Sequence, residues 1–333
     1  MRVVVLGAGG LGSVVGGYLA DAGAEVTLIG RPAHMTAIQR DGLRITGRRG
    51  DMHVTSGLTA VTSPDEAEGE FDYLILAVKA KDSEGALDEA SGLRDSVATA
   101  LSLQNTVEKD HRLADWLGAD RVLGASTIEG GTLVGPGAVN NHVSPTVTAY
   151  FGERDGSTTP RLTALTEAFN AAGMSSRAVD CIEQVQWEKL AQIGVAASWS
   201  VTALGAIPES SFFEGMAVPE GAEYFVTLAK EFLSVYRAKG YEPQSFYAPI
   251  SRLKEIDAMS FEEAVTMLIG EGKALAKTKV GRPSMYEDLL RRQKTEVDYM
   301  FPPYIAAAKE LGIDVPTLRT AFLIIKTIDH FLT

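Results

Sequence analysis

The sequence predicts an α/β protein in two parts: an N-terminal Rossmann-type dinucleotide-binding domain over residues 1–180 and an all-helical C-terminal domain over 181–333. Three observations carry this reading. Residues 2–6 are an unbroken run of mostly β-branched and apolar residues, which suits a strand buried on both faces of a parallel sheet. Gly7, Gly9 and Gly12 follow at once as G-x-G-x-x-G, ahead of a helical stretch and a second strand, so the glycines sit at the first turn of a βαβ unit. After about residue 182 strand patterns stop and helical periodicity takes over.

The elements follow in order. The first helix is expected over 13–22 and the second strand over 25–29. Gly7 permits the tight turn, Gly9 a close approach of pyrophosphate to the backbone, and Gly12 the packing of helix on strand. Gly7, Ala8, Gly9, Gly10, Leu11 and Gly12 are therefore candidate cofactor contacts. The second strand ends in Gly30-Arg31, where NAD-binding folds carry an acidic residue for the ribose 2′-hydroxyl. A guanidinium in its place suits a 2′-phosphate, which points to NADP(H). Residues 42–45 and 52–54 read as a hairpin around the turn at 47–50. A buried strand over 71–78 leads to Lys79, where cofactor phosphates lie in such sheets. The next strand, 98–103, leads to Gln104-Asn105, and Asn105 can hydrogen-bond a ribose or a substrate. Further strands are expected from 122, after the turn at Pro136-Gly137, and over 147–151 and 174–179, with a helix over 162–172. Gly130-Gly131 would let the backbone approach a ligand. Helices are expected over 182–199, 222–239, 260–276, 285–292, 303–311 and 316–332.

Composition excludes several classes. The chain has 333 residues with ordinary apolar and charged content, and a net charge of −12 argues against a nucleic-acid partner. An acidic chain still holds an anionic cofactor through a few local basic groups. Cys181 is the single cysteine, so no intrachain disulfide can form, which fits a reducing cytoplasm. The chain opens directly in a strand, leaving no room for a signal peptide, and no run is apolar enough for a membrane span. The five histidines sit in no catalytic motif, and no metal site is expected.

Taken with the glycine turn and Arg31, several further motifs build a family resemblance. They are Val78-Lys79-Ala80, Leu103-Gln104-Asn105, Gly135-Pro136-Gly137, Trp187-Glu188-Lys189-Leu190, Pro283-Ser284-Met285 and Thr295-Glu296-Val297-Asp298-Tyr299. With them the chain resembles the ketopantoate reductase (2-dehydropantoate 2-reductase) family along nearly its whole length. The resemblance implies NADPH-dependent reduction of a 2-oxo acid to a 2-hydroxy acid, an oxidoreductase of pantothenate biosynthesis, and leaves room for a homodimer. Lys189 matches the family's proton donor and Glu296 its second catalytic residue. Asn105 and Glu296 match contacts to the nicotinamide ribose or the substrate, and Lys189 and Ser284 match substrate-binding groups. Arg31 and Lys79 match cofactor contacts, and Gly130 lies near another. The chemistry fits: hydride arriving at a carbonyl carbon leaves a developing alkoxide, which an ammonium stabilises and protonates.

Two local questions come with this. Ser284 with Glu287 reads as a capping box, S-x-x-E. Ser284 and Glu296 are twelve residues apart, about 18 Å along a straight helix, so a shared pocket requires a break near 293–295, where Thr295-x-x-Asp298 resembles a new helix start. The chain also departs from the family. Its usual asparagines four and eight residues after the lysine are Ile193 and Ala197, the glycine after Asn105 is Thr106, and Phe301-Pro302 stands for Asn-Gly. These changes predict a 2-oxo acid less polar than ketopantoate, branched or aromatic, with Trp199 nearby and Phe212-Phe213 in the loop after Leu204, where a lid can form; the alternative is that Gln192 or Ser198 fills the polar gap. The alternative of a non-catalytic NADP(H)-binding sensor is disfavoured by retention of Lys189 and Glu296.

Overall fold

The computed structural model describes residues 1–143, 147–207, 209–277 and 282–332. They form two compact units, Met1–Gln186 and Trp187–Thr333.

The first unit runs β1 (Arg2–Leu6), α1 (Gly10–Asp21), β2 (Glu25–Ile29), α2 (Pro32–Asp41), β3 (Leu43–Gly47), β4 (Met52–Val54), β5 (Leu58–Val61), β6 (Phe71–Leu76), α3 (Ser83–Glu89), β7 (Val97–Ser102), α4 (Lys109–Leu117), β8 (Gly124–Thr127), β9 (Gly131–Gly135), β10 (Ala138–Asn141), β11 (Ala149–Gly152), α5 (Pro160–Ala171) and β12 (Ser176–Ala178). The central sheet is parallel in the order β5-β2-β1-β6-β7. Its strands are buried on both faces, as the unalternated runs require. Val3 and Val5 pack with Val15 of α1 and Phe169 of α5, while Val4 and Leu6 pack on the other face with Leu113 and Trp116 of α4. The chain leaves β1 toward β2 on one side and returns to β6 on the other. The sheet's switch point therefore lies at the carboxyl end of β1, where ligands bind in this architecture.

The expected hairpin forms, with Leu43 opposite Val54 and Ile45 opposite Met52. Its strand β3 also pairs in parallel with β10, giving a second sheet, β4-β3-β10-β9, that local patterning did not foretell. A third sheet joins β12, β11 and β8.

Among its described residues the second unit holds helices and connecting loops and no strand. It holds most of α6 (Ile182–Leu204), then α7 (Phe212–Met216), α8 (Pro219–Ala238), α9 (Leu253–Ala258), α10 (Phe261–Leu275), α11 (Ser284–Leu290), α12 (Val297–Met300), α13 (Pro302–Leu311) and α14 (Pro316–His330). Aromatic contacts knit its core. Phe232 of α8 meets Tyr304 of α13 edge-on at 4.6 Å, and Tyr304 meets Trp187 of α6 at 4.9 Å and donates a hydrogen bond to its carbonyl at 2.8 Å. Gly194 lets α6 close on α8, since a Cβ there would fall 2.7 Å from the Phe232 ring. Among the described residues no helix is long and apolar enough to cross a membrane.

Candidate functional site

The glycine turn requires glycine at two of its three motif positions. Gly7 has φ +105°, a left-handed conformation, and a Cβ there would sit 2.5 Å from the Val78 amide nitrogen. A Cβ on Gly12 would lie 2.4 Å from the Gly7 carbonyl, so helix and strand can approach only without one. Gly9 differs from both: nothing lies within 4 Å of its missing Cβ, and the space beside the helix start is open. No side chain caps α1 and its first turn carries no acidic residue, so no side chain opposes the partial positive charge of its leading amides. This donor set fits a pyrophosphate.

The close approach at Gly131 has a different cause from the one its sequence suggests. A Cβ on Gly131 would fall 2.3 Å from the Gly10 carbonyl, and one on Gly10 would fall 2.0 Å from the Gly131 carbonyl. Two backbones touch there, so Gly131 serves packing of β9 on α1 rather than approach to a ligand. Gly130, half-buried, has open space at its missing Cβ apart from Val143 at 3.7 Å.

Arg31 is exposed and occupies the N-cap position of α2. A side chain at position 30 would be crowded. A Cβ on Gly30 would lie 2.9 Å from Met35 Cε and 3.1 Å from the Ala8 carbonyl oxygen, which would also repel a carboxylate. Lys79 is exposed at the start of a short turn after β6. Gln104 organises this edge: its side-chain amide donates to the Val78 carbonyl at 2.8 Å and to Ser83 Oγ at 2.7 Å. Sequence reading gave Gln104 no role. Asn105 follows, half-buried, and Thr106 is buried with its hydroxyl accepting from the Glu108 amide. The fully buried Lys109 lies 3.5 Å from Asp110, whose other oxygen accepts from Gln186 at 2.6 Å. Burial pushes the Lys109 ammonium down, and the Asp110 carboxylate opposes this.

Lys189 is carried into the interior, with 7% of its surface exposed, although its helical spacing places it off the Trp187-Leu190-Ala191-Gly194 face. Its neighbour Glu188 is buried more deeply still and was not singled out from sequence. The Glu188 carboxylate accepts from the amides of Gln244 at 2.7 Å and Phe246 at 3.0 Å and from the Tyr236 hydroxyl at 3.2 Å. Burial pushes its carboxyl up, and these donors resist that. Glu188 thereby ties α6 to the segment after α8, a role no spacing announces.

The break between Ser284 and Glu296 is present. Helix α11 ends at Leu290, Arg292 has φ +56°, and α12 begins at Val297. The Thr295 amide donates to buried Asp329 at 2.6 Å, and its hydroxyl accepts from the Val297 amide. Glu296 is half-buried at the N-cap of α12. Ser284 is exposed and is the first residue of α11 rather than its cap. Pro283 holds the cap position, so the expected S-x-x-E capping box does not form.

The placement expected for the aromatics is corrected in part. Trp199 is fully buried, its indole N–H donates to the Gly221 carbonyl at 2.7 Å, and its ring fills a slot opened by Gly215. Phe212 and Phe213 do not lie in a loop but start α7, capped by a Ser211–Glu214 capping box, and Phe212 packs on Trp199 at 5.1 Å. Trp199 is core, while Phe212 and Phe213 are half-buried. Ala197 is buried and Ile193 half-buried. Ser198 points back to the Gly194 carbonyl at 2.6 Å. Among the described residues no His, Cys, Asp and Glu cluster could hold a metal ion.

Comparison with known proteins agrees with this architecture. The family model Ketopantoate reductase PanE/ApbA matches residues 3–156, and its C-terminal counterpart matches 181–329. A 2-dehydropantoate 2-reductase of Halobacterium salinarum is 29% identical over 96% of this chain and 96% of its own length. One from Pyrococcus horikoshii is 27% identical over 95% and 93%. The crystal structure of a PanE/ApbA family ketopantoate reductase from Ralstonia eutropha superposes with a TM-score of 0.78 at 25% identity, covering 99% of both chains. An open glycine turn at the switch point, a buried lysine in W-E-K-L and two matched models spanning most of the chain lead to one assignment: this protein belongs to the ketopantoate reductase family.

Proposed function

We propose that the protein is an NADPH-dependent reductase that converts a 2-oxo acid of the ketopantoate type to its 2-hydroxy acid. The observation that carries this reading is Lys189, an ammonium taken into the interior of a fold whose other unit offers an open, uncapped glycine turn. NADPH, when bound, supplies a hydride to the carbonyl carbon. Gly9 and the leading amides of α1 hold its pyrophosphate, and Arg31 and Lys79 pair with its remaining phosphate charge. Asn105, Glu296 and Ser284 orient the ribose and the substrate by hydrogen bonds. Lys189 sits beside the carbonyl oxygen, stabilises the negative charge that grows there, and gives up a proton from Nζ as the alcohol forms.

A second reading within this class concerns the side chain of the substrate. Ile193 and Ala197 offer hydrocarbon on the helix that carries Lys189, and a hydrocarbon surface cannot reward the hydroxyl of ketopantoate; an unpaired buried hydroxyl costs about 1–3 kcal/mol. This favours a less polar 2-oxo acid. Steady-state kinetics on ketopantoate, 2-oxoisovalerate and phenylglyoxylate test both readings, with Lys189→Ala as the control. Turnover of any of the three should fall about a hundred- to ten-thousand-fold in that variant while NADPH still binds. Near-normal turnover would remove Lys189 as donor. A kcat/KM for ketopantoate well above the other two would show that the missing amides do not matter.

A further inference from the structure

His34 takes no part in the chemistry above, yet it is 4% exposed and sits at a junction of three elements. Its Nδ1 lies 2.9 Å from the Gly137 amide nitrogen, and its Nε2 lies 2.9 Å from Ser13 Oγ. A backbone N–H only donates, so Nδ1 is the acceptor, the ring is neutral, and Nε2–H donates to the Ser13 hydroxyl. Burial favours that neutral form. Each partner belongs to the cofactor half. Ser13 is fully buried on α1, and its amide bonds to the Gly9 carbonyl at 3.0 Å. Gly137 lies in the turn between β9 and β10, with φ +72°, and a Cβ there would sit 3.1 Å from Ala37 of α2. The His34 amide itself bonds to the Arg31 carbonyl at 3.0 Å, closing the first turn of α2.

The contacts form a closed circuit. α1 meets β9 at Gly10 and Gly131, the β9–β10 turn meets α2 at Gly137, and α2 returns to α1 through His34 and Ser13. An exposed arginine reads a phosphate only if its backbone is fixed relative to the rest of the site. We propose that His34 is a positioning residue that fixes Arg31 against the phosphate-facing turn of α1, and so sets the preference for a 2′-phosphorylated cofactor. This rests on the NADPH reading above.

The test uses two soluble probes, adenosine 2′,5′-bisphosphate and 5′-AMP, titrated against the full-length protein and its variants, with thermal melting as a check on folding. Wild type should bind the bisphosphate at least about tenfold more tightly than AMP. His34→Leu should lose most of that preference while its AMP affinity stays within about twofold. His34→Asn, whose Oδ1 can accept from Gly137 in place of Nδ1, should recover part of it. Ser13→Ala, a smaller change that breaks only the α1 end, should lose it severalfold and keeps the proposal open to test if His34→Leu does not fold. A wild type with no preference overturns the NADPH reading and this inference together. A wild type with the preference, retained in folded His34→Leu and Ser13→Ala, overturns this inference alone.

Discussion

At the scale of single residues, charge and space decide who can read the cofactor. A side chain at Gly30 would crowd Met35 and the Ala8 carbonyl oxygen, and that oxygen would disfavour the carboxylate that reads an unphosphorylated ribose. Arg31, next in the chain, supplies the opposite charge on an exposed helix start. A charge-assisted pair is worth roughly 1.5–3 kcal/mol, or about ten- to a hundredfold in affinity. Arg31→Ala should therefore weaken NADPH binding by that factor and change NADH binding by no more than about threefold. Fluorescence titration with both cofactors measures it, and equal affinity of the wild type for the two would end Arg31's role. Residue type alone singles out Arg31 in the sequence, because the position after the second strand is where such folds meet the cofactor ribose. Glu188 shows the opposite case. Its partners are the amides of Gln244 and Phe246, more than fifty residues away, and nothing in a helix pattern separates such a glutamate from one facing water.

At the scale of elements, what was legible was whatever short-range order encodes. The β1–turn–α1–β2 unit, the hairpin of β3 and β4, and the interruption before Thr295 all follow from neighbours within a dozen residues. The pairing of β3 with β10 and the contact of Gly10 with Gly131 join segments some ninety or more residues apart, so periodicity carries no trace of them. Trp199 was misplaced for a related reason. A bulky aromatic near a substituted site looks like pocket lining, whereas its slot is made by Gly215 and Gly221, both later in the chain. The Gly10–Gly131 contact gives a sharp prediction because both sides are backbone and neither can rotate away. Gly131→Ala must push β9 and the first turn of α1 apart, a strain of roughly 1–3 kcal/mol. The variant should lose that much stability in urea unfolding and bind NADPH several-fold more weakly. The matching change Gly9→Ala, which meets open space, should leave stability within about 1 kcal/mol while still blocking the cofactor. Equal stability loss in the two variants would show that the backbone contact is not tight.

At the scale of the whole molecule, a chain of two compact units can unfold in more than one event. The first packs apolar side chains on both faces of a parallel sheet, and the second is held by aromatic contacts among α6, α8 and α13. A chain divided in this way need not melt in a single two-state step. A ligand stabilises whatever it binds in the native state by RT ln(1 + [L]/Kd), about 2.7 kcal/mol at a hundredfold excess over Kd. The glycine turn, Arg31 and Lys79 all belong to the first unit, so the transition that unfolds that unit must feel the whole term. For a unit of this size 1 kcal/mol moves the midpoint by roughly 2–4 °C, so NADPH should raise it by roughly 5–11 °C. Calorimetry across a cofactor series measures the shift. Hydrogen exchange then assigns it, since amides of β1, α1 and β2 should slow on binding. Arg31→Ala should need proportionally more NADPH for the same shift, because its dissociation constant is larger while the protein's own cohesion is unchanged. A midpoint that stays fixed at saturating cofactor, or exchange that slows everywhere except β1, α1 and β2, would mean that the glycine turn does not seat the cofactor.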